Sequence, residues 1–586
     1  MKKAMTSVLA GILLAVLLLG NGFAAASEPT EYQADIVIVG AGGAGMAAAI
    51  TASENGENVV LLEQMNYAGG NSNRSEGGMN AAETVFQKKL GIEDTIESMI
   101  QDTLTGGKEK NDYDLVSFLA ENSATTIDWL TSIGMDMSDV GQGAGASYAR
   151  MHRPEGGAKI GGVLVPVLMD NLEKRGIKIL FQTKATSLIC EDGEVTGVVA
   201  ENAAGEELRF HANAVVLTTG GFGANEEMFV EYRPDLAGFK TTNHPGANGS
   251  GIKIAQAIGA DTVDMDQIQT NPTVEVTTTT VISETARGKG AIFINQSGER
   301  FVNEMLTRDV LSEAILQLPE KYTYLVFDQY AVDSMSALQE DYERGIVSKG
   351  ETIEELAEVL GVDAETMKNS IETWNSYVAA QNDEAFGRST GMDTDLSHAP
   401  YYAIKVAPAV HHTMGGLKIN TQTQVINTEG NVIPGLYAAG EVTGGVHGAN
   451  RLGGNAVADI MIYGRQAGKE SSAYAKQKGS LELILPDDNK EIIAEADGGY
   501  RDGVYEGTGT GKGGEISVTV TVEGGNITFI EISPNQETAT IFEGVKRDLV
   551  PEIIRTQGTD VDMIAGATLS SIGVIEAVEN ALSAAK

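Results

Sequence analysis

The sequence predicts an α/β protein: a doubly wound, Rossmann-like domain with an α+β segment inserted into it, and a small α+β unit at the C-terminus. Three observations carry the prediction. Residues 33–63 run strand, glycine turn, helix, strand, and further α/β units follow. The rhythm breaks over residues 264–400 and resumes at Tyr401. After Tyr500, short alternating strands give way to helices. The boundaries read from these changes are a leader over 1–26, a discontinuous main domain over 32–263 and 401–470, the insertion over 264–400, a linker over 471–499 and the terminal unit over 500–586.

Composition narrows the function. The chain has 586 residues, a net charge of −40 and one cysteine. Such an acidic balance lacks the basic footprint that nucleic acid requires, and it disfavours docking on anionic lipid. A single cysteine excludes an internal disulfide, a CxxCH haem site and a four-cysteine iron–sulfur cluster. That cysteine, Cys190 in "TSLIC", reads as a small buried hydrophobe.

The leader has a basic start ("MKK"), an apolar run from Val8 to Leu19, and small residues at Ala24 and Ala26. It reads as a secretory signal cleaved near Ala26, which places the mature chain in the periplasm, on the cell surface or outside the cell. An uncleaved anchor is the alternative reading.

In "ADIVIVGAGGAGMAAAITASENGENVVLLEQ", Gly40, Gly42 and Gly45 follow a hydrophobic strand and open an Ala-rich helix. A second strand ends at Glu63, about twenty residues on. These glycines permit a tight turn and close approach of a pyrophosphate to a helix N-terminus, and Glu63 is placed to accept from a ribose hydroxyl. More strand–glycine turns follow: "NYAGGNSNRSEGGMNA", "NAVVLTTGG", and "VIPGLYAAGEVTGG" with Glu441. That recurrence suits a long, extended FAD better than a short NAD module. In the insertion, "KGETIEELAEVLGV" and "DAETMKNSIETWNSYVAAQ" carry helix-start signals, a Thr or Asp followed by carboxylates. "KQKGSLELILPDDNKEIIAEADGG" lacks a sustained period and reads as linker.

Four segments, "HRPEGG", "ETARGKGAIFINQSGERFVNEMLTRD", "HHTMGG" and "GEVTGGVHGANRLGGN", make residues 35–468 resemble the soluble fumarate reductase and flavocytochrome c family of FAD-dependent 2-enoate reductases. The resemblance implies non-covalent FAD held by Gly40, Gly42, Gly45, Glu63, Gly70, Asn71, Ser72, Gly78, Ala185, Gly220, Glu441, Asn455 and Ala456. It implies a carboxylate clamp of His412 and Arg451, with Asn271 and Ser283 also touching substrate. It implies a proton donor at Arg308, recharged through Glu284 and Arg287, and no metal. The chemistry needs these types: bidentate Arg and His to hold a carboxylate, a flavin to give hydride, and a positioned acid.

The departures bear on substrate. Asn271, in "NPT", stands where fumarate reductases carry a histidine for the second carboxylate. Ser283 replaces a family Thr, Val281 a pocket Met, and Gln142 and Gly143 replace methionines. Lost charge and gained volume point away from fumarate and towards a bulkier enoate such as an aryl acrylate. Asn271 and Ala286 also depart from the Tyr and Asp of urocanate reductases.

The end of the chain, "VDMIAGATLSSIGVIEAVENAL", resembles FMN-binding domains that carry FMN on threonine by a phosphoester bond; Asp562, Gly566, Ala567 and Thr568 fit the pattern, with Ala565 a departure. Ser570 or Ser571 as a simple helix N-cap is the rival reading. The resemblance implies FMN on Thr568 as an electron inlet that swings on the linker, a membrane or extracellular electron donor, a flavin transferase and a small unsaturated carboxylate as partners. Two other functions stay open: an FAD-dependent dehydrogenase or oxidase of a saturated substrate, and a secreted flavoprotein electron shuttle.

Overall fold

The strand Thr30–Val39 is polar and exposed at its start and fully buried from Ala34 onward, as a central parallel strand must be. In the computed structural model it pairs in parallel with Val59–Leu62 on one side and Glu207–Leu217 on the other, with Ile36 opposite Val59 and Ala214. Lys178–Leu180 and Val432–Ala438 extend the parallel set on either flank. The carboxyl ends of these strands converge at Gly40, Glu63 and Thr218, the edge where α/β sheets form ligand crevices. The described residues are 30–143, 145–486, 499–533, 537, 542, 545–559, 561, 563–564 and 567–585. The leader, residues 487–498 of the expected linker and Asp562, Ala565 and Gly566 lie outside them.

The structure moves three expectations. Cys190 is exposed, not buried: it sits on Lys184–Glu191, a hairpin strand paired with Glu194–Glu201 at the margin of the sheet. The expected linker start at residue 471 falls inside one helix, Asn455–Lys478. That helix lies so close on Gly43–Glu54 that a Cβ at Gly464 would stand 2.5 Å from the Ala44 carbonyl. Beyond it Leu481 donates to Asp35 (2.6 Å), and Gln33 and Ile484 exchange backbone hydrogen bonds, so the chain is pinned to the main sheet through Ile484.

The third concerns the strand Tyr401–Thr413, expected to begin the return of the main domain. It is the central strand of the inserted sheet, antiparallel to Ile268–Glu275, Thr323–Asp328 and Ser348–Gly350. Along Thr323–Asp328 the side chains alternate between two buried clusters: Leu325 and Phe327 join Leu311 and Ile404, while Tyr324 and Val326 join Met367 and Trp374. Both faces are therefore covered by helices. The helices Ile353–Leu360 and Ala364–Ala380 form where their start signals stand, with Thr352 and Asp363 accepting from the N–H groups of Glu355 and Thr366.

In the terminal unit, Gly503–Thr510, Glu515–Glu523 and Asn526–Ile532 form an antiparallel sheet. Ile516, Val518, Val520 and Val522 point to one face, where the helix Thr568–Ser583 packs. Gly509 permits that approach, since a Cβ there would lie 2.1 Å from the Gly573 carbonyl.

Candidate active site

The crevice at the sheet's carboxyl edge is a cleft between the glycine turns at Gly40 and Gly220. Of the residues expected to hold FAD, Gly40, Gly42, Glu63, Gly70, Asn71, Ser72, Ala185, Gly220 and Glu441 line it. Gly40 has φ +104°, and a Cβ on it would meet the Thr218 carbonyl at 2.5 Å, so only glycine lets the turn form. At Gly42 a Cβ would have nothing nearer than 3.9 Å, leaving the first turn of the helix Gly43–Glu54 open for a pyrophosphate. Ser72 Oγ accepts from the Gly43 N–H (3.0 Å), and Glu63 accepts from Ala41 (2.8 Å) and Met65 (2.9 Å). Thr219, on the same wall, has a buried hydroxyl with no partner. Open helix turn, buried acid and orphaned hydroxyl together fit FAD.

Four expected contacts lie elsewhere. Gly45 and Gly78 are packing positions, because a Cβ would stand 2.0 Å from the Gly40 carbonyl and 2.3 Å from the His152 carbonyl respectively. Asn455 is buried between Asn80 (2.7 Å) and Thr103 (3.2 Å), and Ala456 follows it in the first turn of its helix.

The reaction centre forms where the inserted domain meets the main one. Arg308 opens the helix Arg308–Leu316, and its neighbour Asp309 pairs with Lys108 of the main domain (2.5 Å). Arg308 donates through Nε to Glu284 and through Nη1 to Gln269 Oε1 (3.1 Å). Arg451 donates to the same Gln269 oxygen (3.1 Å) and to the Leu452 carbonyl (3.1 Å). Gln269 is thus the bridge between the two guanidinium groups, held by its own amide to Asn450 (2.7 Å) and the Arg451 carbonyl (2.8 Å). Arg287 stands 3.8 Å from Glu284. Burial alone would raise the Glu284 pKa, but Arg308, Arg287 and Arg451 outweigh it and hold the carboxyl at about 2. Burial and then Arg308 push Arg451 below the ordinary guanidinium value.

The strand Tyr401–Thr413 delivers His412, whose Nδ1 is 3.4 Å from Glu441 and whose ring meets His447 edge-on at 5.3 Å. Burial, then Arg451, lowers its pKa well below 6.5, so the imidazole is neutral. His411 is the extra residue of a bulge and bonds Thr242 (2.8 Å). Asn271 lies two residues beyond Gln269, on the same face of its strand. Its carbonyl oxygen is tied to Thr273 N–H (3.0 Å) and hydroxyl (3.2 Å), which leaves the amide nitrogen as a fixed donor. That nitrogen, His412 Nε2 and Arg451 Nε are all buried without a partner. Unpaired buried polar atoms cost about 1–3 kcal/mol each, so each of the three is open to a polar ligand. Ser283 accepts from Thr285 N–H (3.3 Å) at the turn that carries Glu284. Gln142 is exposed and turned back on the Ala146 carbonyl (2.8 Å), and at Gly143 a Cβ would stand 2.9 Å from Met151 Cε and 3.6 Å from the Gly453 carbonyl, so Met151 fills that place.

In the terminal unit Thr568 is exposed in the first turn of its helix, among exposed Met563, Leu569 and Ile572. The helix starts at Thr568 after Ala567, so neither Ser570 nor Ser571 is its N-cap. Ser570 is buried and bonds Glu537, and Ser571 accepts from Ile564 (3.1 Å).

A dinucleotide cleft, a buried arginine–carboxylate centre beside it and a separate terminal unit define a flavin-dependent oxidoreductase. Residues 35–457 match the family model of the FAD binding domain, and residues 511–583 that of the FMN-binding domain. The chain is 46% identical over 450 residues to an NADH:fumarate oxidoreductase of Klebsiella pneumoniae, a match covering 77% of this chain and 48% of that protein. It is 43% identical over 455 residues to a fumarate reductase (cytochrome) of Shewanella frigidimarina, covering 78% and 79% of the two. The solved open conformation of a flavocytochrome c3 fumarate reductase superposes with a TM-score of 0.69 at 40% identity, covering 77% of this chain and 80% of that one. The chain belongs to the FAD-binding family of fumarate reductases and related 2-enoate reductases, and it carries an FMN-binding domain at its end.

Proposed function

We propose that the protein is an exported reductase that saturates the C=C bond of an α,β-unsaturated carboxylate. The observation that carries this reading is the Gln269-bridged pair of Arg308 and Arg451, with Glu284 on Arg308 and with nitrogens of Arg451, His412 and Asn271 buried without a partner. FAD, when bound in its reduced form, supplies the hydride that adds to one alkene carbon. Arg451 and neutral His412 hold the carboxylate and draw electron density towards it. Arg308 gives a proton to the other alkene carbon, and Glu284 returns one to Arg308 from the Arg287 side. Hydride and proton together convert C=C to CH–CH, with no other atom changing hands.

Asn271 directs the substrate class. A second carboxylate in this buried place would meet a neutral donor and no cation of its own. A distal group with a neutral acceptor fits better, because the Asn271 amide nitrogen is a buried donor without a partner. An anaerobic panel with reduced viologen, comparing fumarate with aryl acrylates, tests both levels. Oxidation of viologen by none of the enoates refutes the reductase; preference for fumarate refutes only the bulkier substrate.

Because His412 is neutral well below pH 6.5, its charge does not change across the working range. The pH profile of kcat/KM is therefore expected to pass pH 6.5 without an inflection. An inflection there that disappears in His412→Gln would show that the ring titrates and overturn the neutral clamp.

Thr568 carries covalent FMN as the electron inlet in this reading, attached by a flavin transferase and charged by a membrane or extracellular donor. Its exposure admits a modifying enzyme, and the apolar side chains around it suit a flavin ring. Thr568→Ala is expected to lose flavin that survives denaturation while keeping releasable FAD. Mass spectrometry of the denatured chain checks this, and the mass of its N-terminus checks export and cleavage near Ala26.

A further inference from the structure

The relay residue Arg287 is gripped at both ends by a buried ionic frame that touches neither cleft nor substrate site. Its Nη1 donates to the Glu304 carbonyl (2.7 Å), and its own carbonyl accepts from Arg388 Nη2 (2.5 Å). Arg388 is 1% exposed and Glu304 is 0% exposed. Arg388 uses every other arm of its fork: Nη1 on Glu304 (3.0 Å) and the Ala291 carbonyl (3.1 Å), Nη2 on the Gly391 carbonyl (2.6 Å), Nε on the Thr390 carbonyl (3.1 Å). The Glu304 carboxylate also takes Arg300 in a bidentate pair (2.7 and 2.8 Å), and Arg300 reaches Asp383 (2.8 Å). Both guanidinium groups stack on Trp374, at 4.7 Å for Arg300 and 4.4 Å for Arg388.

Two cations and two anions cancel, so the frame sends little net charge to the site. Its contribution to stability is also small, because desolvation of buried ions offsets most of their attraction. What it does uniquely is geometric. It sews the turn Thr285–Gly288, the segment 291–304 and the loop 383–391 into one unit, with Arg287 at the seam.

We propose that Arg388 and Glu304 are positioning residues of the proton relay: they fix Arg287 beside Glu284 and so keep Glu284 aligned on Arg308. The proposal rests on the proton-delivery reading above. The guanidinium fork of Arg388 can fix the Arg287 backbone where a lysine cannot, since it meets several acceptors in one plane.

The test uses FAD-loaded protein, reduced viologen and the best enoate of the panel. Arg388→Lys keeps the charge and loses the fork. Glu304→Gln keeps the volume and the backbone carbonyl that Arg287 uses, and serves where Arg388→Lys does not fold. Each is expected to lower kcat about 10- to 100-fold with KM unchanged, and to enlarge the solvent deuterium isotope effect. In an Arg287→Ala background neither is expected to lower kcat further, because the frame acts through Arg287. A lower melting temperature with parental kcat and isotope effect would mean a purely structural frame and overturn the proposal. So would losses that multiply with that of Arg287→Ala. If the parent reduces no enoate, the reductase reading itself fails, and that is seen before any variant is made.

Discussion

Arg308→Ala is expected to bind FAD like the parent and to reduce enoates about 10²- to 10⁴-fold more slowly, the range a positioned proton donor contributes. The FAD cleft owes nothing to Arg308, which does not line it. The helix that Arg308 opens keeps its backbone, and Asp309 still pairs with Lys108. What disappears is the group between Glu284 and the reacting carbon. Glu284 also loses its strongest cationic partner, so its carboxyl, now held at about 2, moves upward. Flavin content by absorbance and turnover with reduced viologen check the prediction. Parental turnover in the folded variant would remove Arg308 from the reaction.

Arg451→Met is expected to fold and bind FAD, yet to lose about 3–5 kcal/mol of transition-state binding, or roughly 10²- to 10⁴-fold in kcat/KM. The substitution takes a cation out of a site where Arg308 already repels it, so the empty protein does not suffer for charge. The cost falls on the substrate, whose buried carboxylate loses its cationic clamp. Saturation kinetics separate this from the Arg308 effect: KM rises here, whereas kcat falls there. A parental KM would place the carboxylate elsewhere.

Much of this was legible in the chain. The glycines at 40 and 42, the acid at 63 and the strands around them depend on local backbone geometry, which sequence spacing reports directly. The two helices of the insertion carry their own caps. Gln269 was missed although its signal was present: period two puts it on the face of Asn271, and only its contacts show that it joins two arginines. Gly45 and Gly78 were read as flavin contacts because a glycine needed for packing looks like one needed for a ligand. Cys190 was misplaced because its strand is apolar enough to read as buried, while its position at the sheet's margin depends on pairing.

By itself the sequence determined the class of fold, the glycine turn of the flavin cleft and the terminal FMN-binding unit, because each rests on a local pattern of residues close in the chain. Only the tertiary structure decided that the strand Tyr401–Thr413 belongs to the inserted sheet, that Gln269 bridges Arg308 and Arg451, and that Arg388 and Glu304 grip Arg287. Those contacts join residues up to 182 positions apart. Register between distant strands and the compensation of buried charge set them, and neither leaves a local trace in the chain.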